Sequence, residues 1–280
     1  MSSIPLPYPP HPTIAQEKID RLGWMDGQSF TAYGLRFGLW SNTPASLEQA
    51  APHLPLGWQP VPGSEADILY ALYLDPPNYH LYCDSALIGC GPELLPILRL
   101  FQQHAAKLTA YRAQDCLFVH AGVVGWQGQA ILIPGRSMSG KSTLVKALVE
   151  SGATYYSDEF AVLDKQGHVH AYPLPLSIRE ADGQPARKTP IESLGGQTGI
   201  EPLPVGLVVV TRYQPRARWR PQTLSPAQAL LALMDNTVAA RREPTYSMPI
   251  LREVAMAARV VQSKRGDAKR VALALLQLLR

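Results

Sequence analysis

Residues 131–148 read ILIPGRSMSGKSTLVKAL, and the fold turns on the middle of that run. It contains G-x-x-x-x-G-K-S, from Gly135 to Ser142. At average composition, these fixed positions coincide by accident in roughly one chain in a hundred of this length, so the setting decides what the pattern means. Ala130, Ile131, Leu132 and Ile133 make a short apolar, β-branched run of the kind found in a buried strand. Pro134 and Gly135 interrupt it, and Leu144, Val145, Leu148 and Val149 then recur at helical spacing. The order is strand, glycine loop, helix. That geometry aims backbone N–H groups and a helix N-terminus at an anion. The run therefore reads as a phosphate cradle built from Gly135, Arg136, Ser137, Met138, Ser139, Gly140, Lys141, Ser142 and Thr143. Lys141 is expected to reach the β and γ phosphates, the Ser142 hydroxyl to hold Mg²⁺, and Thr143 to touch the α phosphate.

The chain has 280 residues, of which 46% are hydrophobic and 17% charged. That is an ordinary globular composition with room for one large domain or two modest ones. No run approaches the roughly 20 apolar residues of a membrane-spanning helix. The opening MSSIPLPYPPHP has no basic region followed by an apolar core, so it does not read as a secretory signal. Cys83, Cys90 and Cys116 show no metal-ligand spacing, and so sparse a set suggests a reducing compartment, with the cytoplasm as the expected location. The net charge of +4 hides an asymmetry: residues 1–211 carry 13 Lys and Arg against 18 Asp and Glu, and residues 212–280 carry 13 against 4. A basic C-terminal segment attracts an acidic partner or a nucleotide; it is equally the solvated face of a helical tail.

The pattern along the chain divides near residue 112. Residues 1–14 are proline-rich and read as an extended arm. SFTAYGLRFGLWSN, residues 29–42, alternates well enough for one or two strands. TPASLEQAAPHLP reads as a short helix capped by Thr43 or Ser46, and DILYALYLD, residues 67–75, as a strand. Residues 91–111 are the clearest helix of this half, with an apolar stripe through Leu94, Leu95, Leu98 and Phe101. These pieces make a small α+β domain, 1–112. In the second domain, 113–280, LFVHAGVVGW and QAILIPG pair around a turn at residues 126–128. TYYSDEFAVLD, residues 154–164, reads as one strand, QGHVHAYPLPLSIRE as a turn and another strand, and PVGLVVVTRY as a strongly β-branched strand. SPAQALLALMDNTV and DAKRVALALLQLL read as helices capped by Ser225 and Asp267. Strands here often adjoin strands, so the layout is not a simple βαβ alternation.

A nucleotide enzyme of this type needs a carboxylate near the metal and the γ phosphate. Asp158 and Glu159 follow an aromatic β run shortly after the cradle's helix. Neighbours on a strand face opposite ways, so both serve one site only if the strand ends or kinks there; otherwise they are a pair of surface acids. Upstream, His120 closes the strand CLFVH.

The run VHAGVVGWQGQAILIPGRSMSGKSTLVKALVESGATYYSDEFAVL resembles the catalytic core of HPr serine kinase/phosphorylase and the broader HPr kinase-like group. His120 stands where that family has a strand histidine about fifteen residues before its phosphate loop. Gly135 through Ser142 stand at the loop, Gly152 at the helix end, and Asp158 and Glu159 at the acidic pair. GLVVVTRY resembles the family's late core strand. The resemblance implies an α/β fold with a P-loop kinase core of the HPr kinase/phosphoenolpyruvate carboxykinase type, built on a mixed β-sheet, beside the smaller N-terminal α+β domain. It implies ATP and Mg²⁺, and phosphorylation of a serine hydroxyl oriented or deprotonated by Asp158, with His120 beside it and Ser142 and Glu159 at the metal.

The chain departs from the family where its loop ends Lys-Ser-Thr, where the second acid is Glu159, and where only SLGGQTGIEP occupies the region of the phosphorylase signature. These departures point away from HPr itself and toward stand-alone kinases acting on another small protein or peptide that bears the acceptor serine. Arg179 in PLSIRE is a further catalytic candidate, as a cation for transition-state charge, or else a surface arginine flanking Glu180. Nucleic acid is not an expected partner, and a homo-oligomer is allowed. An ATP-binding regulator that transfers nothing is the alternative function. An assembly NTPase is a third, without an evident arginine finger or longer αβ repeat.

Overall fold

The computed structural model of the chain describes residues 23, 24, 26–135, 139–178 and 187–279. The chain divides after Asp115 into two compact units, each with its own core. The proline-rich residues 1–14, expected as an arm, lie outside the described residues.

The first unit is a mixed six-stranded sheet with one long helix on it. β1 (Asp26–Ala32) and β2 (Leu35–Ser41) form a hairpin turned by Tyr33 and Gly34, both at positive φ. A short helix α1 (Pro44–Ala50) leads to β3 (Gln59–Val61), β4 (Ile68–Asp75), β5 (Asn78–Cys83), β6 (Ala86–Gly91) and α2 (Leu94–Arg112). The strand order is β3-β1-β2-β4-β5-β6. Phe37, Ile68, Tyr70 and Leu81 pack against Ile97, Leu98, Phe101 and Ala105 of α2, and Trp58 stacks on Phe37 with ring centres 4.0 Å apart. The buried face of α2 is turned from the expected stripe: Leu95 is 49% exposed and Ile97 is buried in its place. Thr43 does precede α1, but its hydroxyl bonds the Ser46 hydroxyl and not a backbone N–H.

The second unit is a three-layer helix–sheet–helix arrangement. β7 (Leu117–Trp126) and β8 (Gln129–Pro134) form an antiparallel hairpin. Gln127 and Gly128 turn it with both φ values positive, the primed turn that two-residue hairpins favour. Then come α3 (Lys141–Glu150), β9 (Thr154–Ser157), β10 (Phe160–Leu163), β11 (His168–His170), β12 (Leu176–Ile178) and β13 (Arg187–Thr189). The chain continues with β14 (Leu203–Tyr213), β15 (Gln222–Thr223), α4 (Pro226–Met234), α5 (Pro244–Ala257), β16 (Arg259–Arg265) and α6 (Ala268–Gln277). The sheet runs β11-β10-β7-β8-β14-β16-β15, with β9 alongside β7. β8, β14 and β16 are mutually parallel, so their C-terminal ends share one edge.

Both faces of these central strands are buried, which is why they read as continuous apolar runs. Ile131, Ile133, Leu207, Val209 and Val261 face Leu144 and Leu148 of α3 and Val271 and Leu275 of α6. Leu132, Val208 and Val260 face Leu233 of α4 and Leu251 and Val254 of α5. Gly122 on β7 leaves no side chain where one would run into Val145, so α3 lies close on the sheet. Ser225 caps α4 through a capping box with Gln228, and Asp267 caps α6 by accepting from the Arg270 N–H, as their positions predict. Several features depart from the sequence reading, among them β11 and β12, two short strands where QGHVHAYPLPLSIRE is expected to hold one. The run 154–164 is two strands, and β16 and α5, the latter with Pro249 inside it, were not anticipated. Among the described residues no helix is long and apolar enough to cross a membrane.

Leu132 is fully buried at the centre of this sheet. Leu132→Ala is expected to lower the stability of the second unit by about 2–5 kcal/mol. Hydrogen exchange should show the loss in β8 and β14 first, and unchanged protection there would place the core elsewhere.

Candidate functional site

Strand register assembles the site. Ala121 of β7 pairs with Pro134, the last residue of β8, and the Gly135 N–H donates to the His120 carbonyl at 3.1 Å. On its other side β7 pairs with β9 through Val123 and Ser157, and with β10 through His120 and Phe160. Asp158 and Glu159 are the two residues between those pairings, and they form a bend. Fully buried Ser157 makes the break: its hydroxyl accepts from the Glu159 N–H at 3.3 Å and the Phe160 N–H at 3.1 Å. Such a side-chain turn replaces the strand ladder locally. Both acids are thereby released from strand alternation, the condition under which neighbours can serve one site. The start of the loop, His120 and the acidic bend all lie at the sheet edge where β8 ends. The His120 ring packs on Phe160, centres 4.6 Å apart.

Asp158 is only 8% exposed, while Glu159 is exposed. Burial is the largest influence on the Asp158 carboxyl and pushes it up to about 6; Ser142, the Ser177 N–H and Lys141 pull the other way, and Glu159 adds to the rise. The Ser177 N–H donates to Oδ2 at 3.3 Å, and Oδ1 has no hydrogen-bond partner among the described residues. Lys141 opens α3 directly after Gly140. Burial lowers its ammonium pKa, and the charges of Asp158 and Glu159 oppose that fall. Each buried group is therefore drawn toward its neutral form, and mutual attraction offsets only part of the desolvation.

The far side of the loop is held by residues the sequence reading missed. Arg265, 1% exposed at the end of β16, donates from Nη2 to the Gly140 carbonyl and from Nη1 to the Gly266 carbonyl at 3.4 Å. Its guanidinium lies 5.7 Å from the centre of the Tyr213 ring, and the Tyr213 N–H donates to the Ser139 carbonyl at 3.2 Å. Gly140 sits at φ +87°, where a side chain would also meet Arg265. The signal for Arg265 was the Val260–Val261 pair followed by Gly266 and the Asp267 cap, a strand end running into a helix start. Three buried polar atoms around the loop, Ser139 Oγ, Asp158 Oδ1 and Arg265 Nε, have no partner among the described residues. Buried groups left this way cost free energy unless something polar meets them.

Of the residues expected in the site, Gly135, Ser139, Gly140, Lys141, Ser142, Thr143, His120, Asp158 and Glu159 are described, and Thr143 is exposed. Arg136, Ser137, Met138 and Arg179 lie outside the described residues. Among the described residues no group of three or more His, Cys, Asp or Glu could hold a metal ion by itself.

No protein-family model matches the chain, and no curated protein matches it. Among solved structures, the Hpr(Ser) kinase/phosphatase from Coxiella burnetii aligns with a TM-score of 0.31 and 15% identity, over 58% of this chain and 88% of that one. A superposition that loose does not establish a common fold.

The Asp158 carboxyl rises from an ordinary 3.8 to about 6 in the folded chain. Folded protein then binds that proton more tightly than unfolded chain does, so this group's contribution to stability is lost as pH rises from about 4 to above 6. Asp158→Asn keeps an acceptor for the Ser177 N–H and removes the charge. Without added nucleotide it should raise stability near pH 8 by about 1–3 kcal/mol, with the gain fading toward pH 4. Thermal unfolding at both pH values checks this, and a variant destabilised near pH 8 would mean that the carboxylate is favourably paired.

Proposed function

We propose that the chain is an ATP-dependent kinase that transfers a phosphoryl group to a serine hydroxyl of a protein or peptide. The observation that carries this reading is the buried Asp158, one of whose oxygens has no partner among the described residues, electrostatically coupled to Lys141 at the N-terminus of α3.

The residues present suit a nucleotide and its metal. A helix N-terminus with a lysine as its first residue is an anion site, and beside it Ser139 Oγ, Asp158 Oδ1 and Arg265 Nε have no partner among the described residues. In this reading Gly135 to Thr143 hold the phosphates, with Lys141 on the β and γ groups. The recess of about 540 Å³ beside Thr143, lined by Tyr213, Arg216 and Gly266, suits the nucleoside. Ser142 and Glu159 would hold Mg²⁺, which commonly takes only one or two protein ligands beside phosphates and water. The metal, when bound, neutralises charge on the phosphates.

Asp158 then acts on the acceptor. Its oxygen takes the hydroxyl proton as that hydroxyl's oxygen bonds the γ phosphorus and the bond to the bridging oxygen breaks. A carboxyl near 6 suits a base working at neutral pH. Phosphoryl transfer needs little covalent help, so positioning and charge dominate. His120 is a positioning residue: its carbonyl holds the start of the loop and its ring packs beside the bend. Arg179, which lies outside the described residues, is the candidate for a cation on the transferring group.

Incubating purified chain and host lysate with γ-labelled ATP tests the proposal. A labelled band should form with the native chain and be absent with Lys141→Ala. Asp158→Asn should keep ATP affinity and lower transfer about a hundredfold or more, and Ser142→Ala should chiefly raise the magnesium requirement. Unchanged ATP affinity and turnover in Lys141→Ala would end the cradle reading. ATP binding with no acceptor ever labelled would favour the regulator.

A further inference from the structure

Beyond the loop, the same sheet edge carries a groove of about 860 Å³ at the ends of β14 and β16. Arg212, Arg218, Arg220 and Lys264 line it, and all four are exposed. Among the described residues none of them makes an ion pair. The sequence has no carboxylate between Glu201 and Asp235, so the segment that forms most of the groove contains nothing to neutralise it. Between the cations the lining mixes amide and hydroxyl groups, Gln222, Gln262 and Ser263 among them, with Val210 and Pro215. Four unneutralised cations in one concavity focus a positive potential.

We propose that this groove binds a carboxylate-rich stretch of polypeptide and that this stretch belongs to the phosphate acceptor. The second clause rests on the kinase reading; the first stands without it. Charge complementarity selects an anionic occupant, and the lining selects a peptide over nucleic acid. Single strands are usually gripped by aromatic rings on which successive bases stack. Among the described residues Tyr213 is the one ring in the lining, and Trp219 is partly buried against the hydrophobic core.

Geometry fixes the relation to the site. Tyr213 lines the groove and donates its N–H to Ser139 of the loop, so groove and loop adjoin. The acidic bend lies beside β7 and β10, and the groove lies three to four strands away across β8. At strand spacing that is roughly 14–19 Å, or about five residues of extended chain. The acceptor hydroxyl and the acidic stretch would then be separated by about five residues.

The test is fluorescence anisotropy of the full chain with a labelled peptide that carries a run of glutamates about five residues from a serine. The peptide should bind, more weakly as salt rises. Arg218→Glu with Arg220→Glu should weaken it at least tenfold, the scale on which like charges reject a partner, while ATP affinity stays unchanged. Arg218→Gln with Arg220→Gln, checked for native circular dichroism, should give a smaller loss in the same direction. Lys141→Ala should bind the peptide as the native chain does, so the groove survives even if the kinase reading fails. Peptide affinity unchanged in both double variants overturns the proposal. So does tight binding of a single-stranded oligonucleotide in place of the peptide, and so does loss of ATP binding in the glutamate variant, which would make the groove part of the nucleotide site.

Discussion

The pairing of β7 with its two neighbours is the constraint on which the site depends. A one-residue slip against β8 would move Gly135 off the His120 carbonyl and exchange the two faces of every side chain on the strand. The two faces are not interchangeable: Gly122 leaves the space that Val145 of α3 fills, while Ala121 and Val123 pack in the core on the other face. On the other edge the same strand receives β9 and then β10, and the two residues that fall between them are the acids. A hydrophobic requirement of the sheet thus sets the position of polar chemistry.

Charge at the site is held against solvation. Asp158 and Lys141 are both buried enough that each is pushed toward neutrality, and their mutual attraction does not cancel the cost. Around the break at Ser157, Asp158 accepts from the Ser177 N–H and is hydrogen-bonded with the Ser142 side chain, and its Oδ1 has no partner among the described residues.

Arg265 shows how the loop is supported from behind. A guanidinium this buried usually pairs with a carboxylate; here it holds two backbone carbonyls and the face of Tyr213. It spans β16 and the residue before α3, and Gly140 has no side chain to obstruct it. Tyr213 connects the same loop to the basic groove, so the two features of the C-terminal half share one anchor.

Local chemistry determined the strand–loop–helix run and both helix caps, because an apolar run, a glycine pair and an Asp or Ser before a helix each act on their immediate neighbours. Ile131 to Ile133 and the helix from Lys141 are legible for that reason. β16 was not legible, since RVVQSKR has only two strong apolar residues, and its strand character comes from pairing with β14. The stripe of α2 was misplaced because the sheet beneath selects which face is buried, so Leu95 is exposed and Ile97 is not. Glycine spacing and the acid pair pointed to Lys141 and Asp158 from the sequence alone. That Ser157 bends the chain there, that burial raises the Asp158 carboxyl, and that Arg265 comes from over a hundred residues away to hold Gly140 were decided only in the tertiary structure, because desolvation and long-range pairing exist only once the sheet has closed around them.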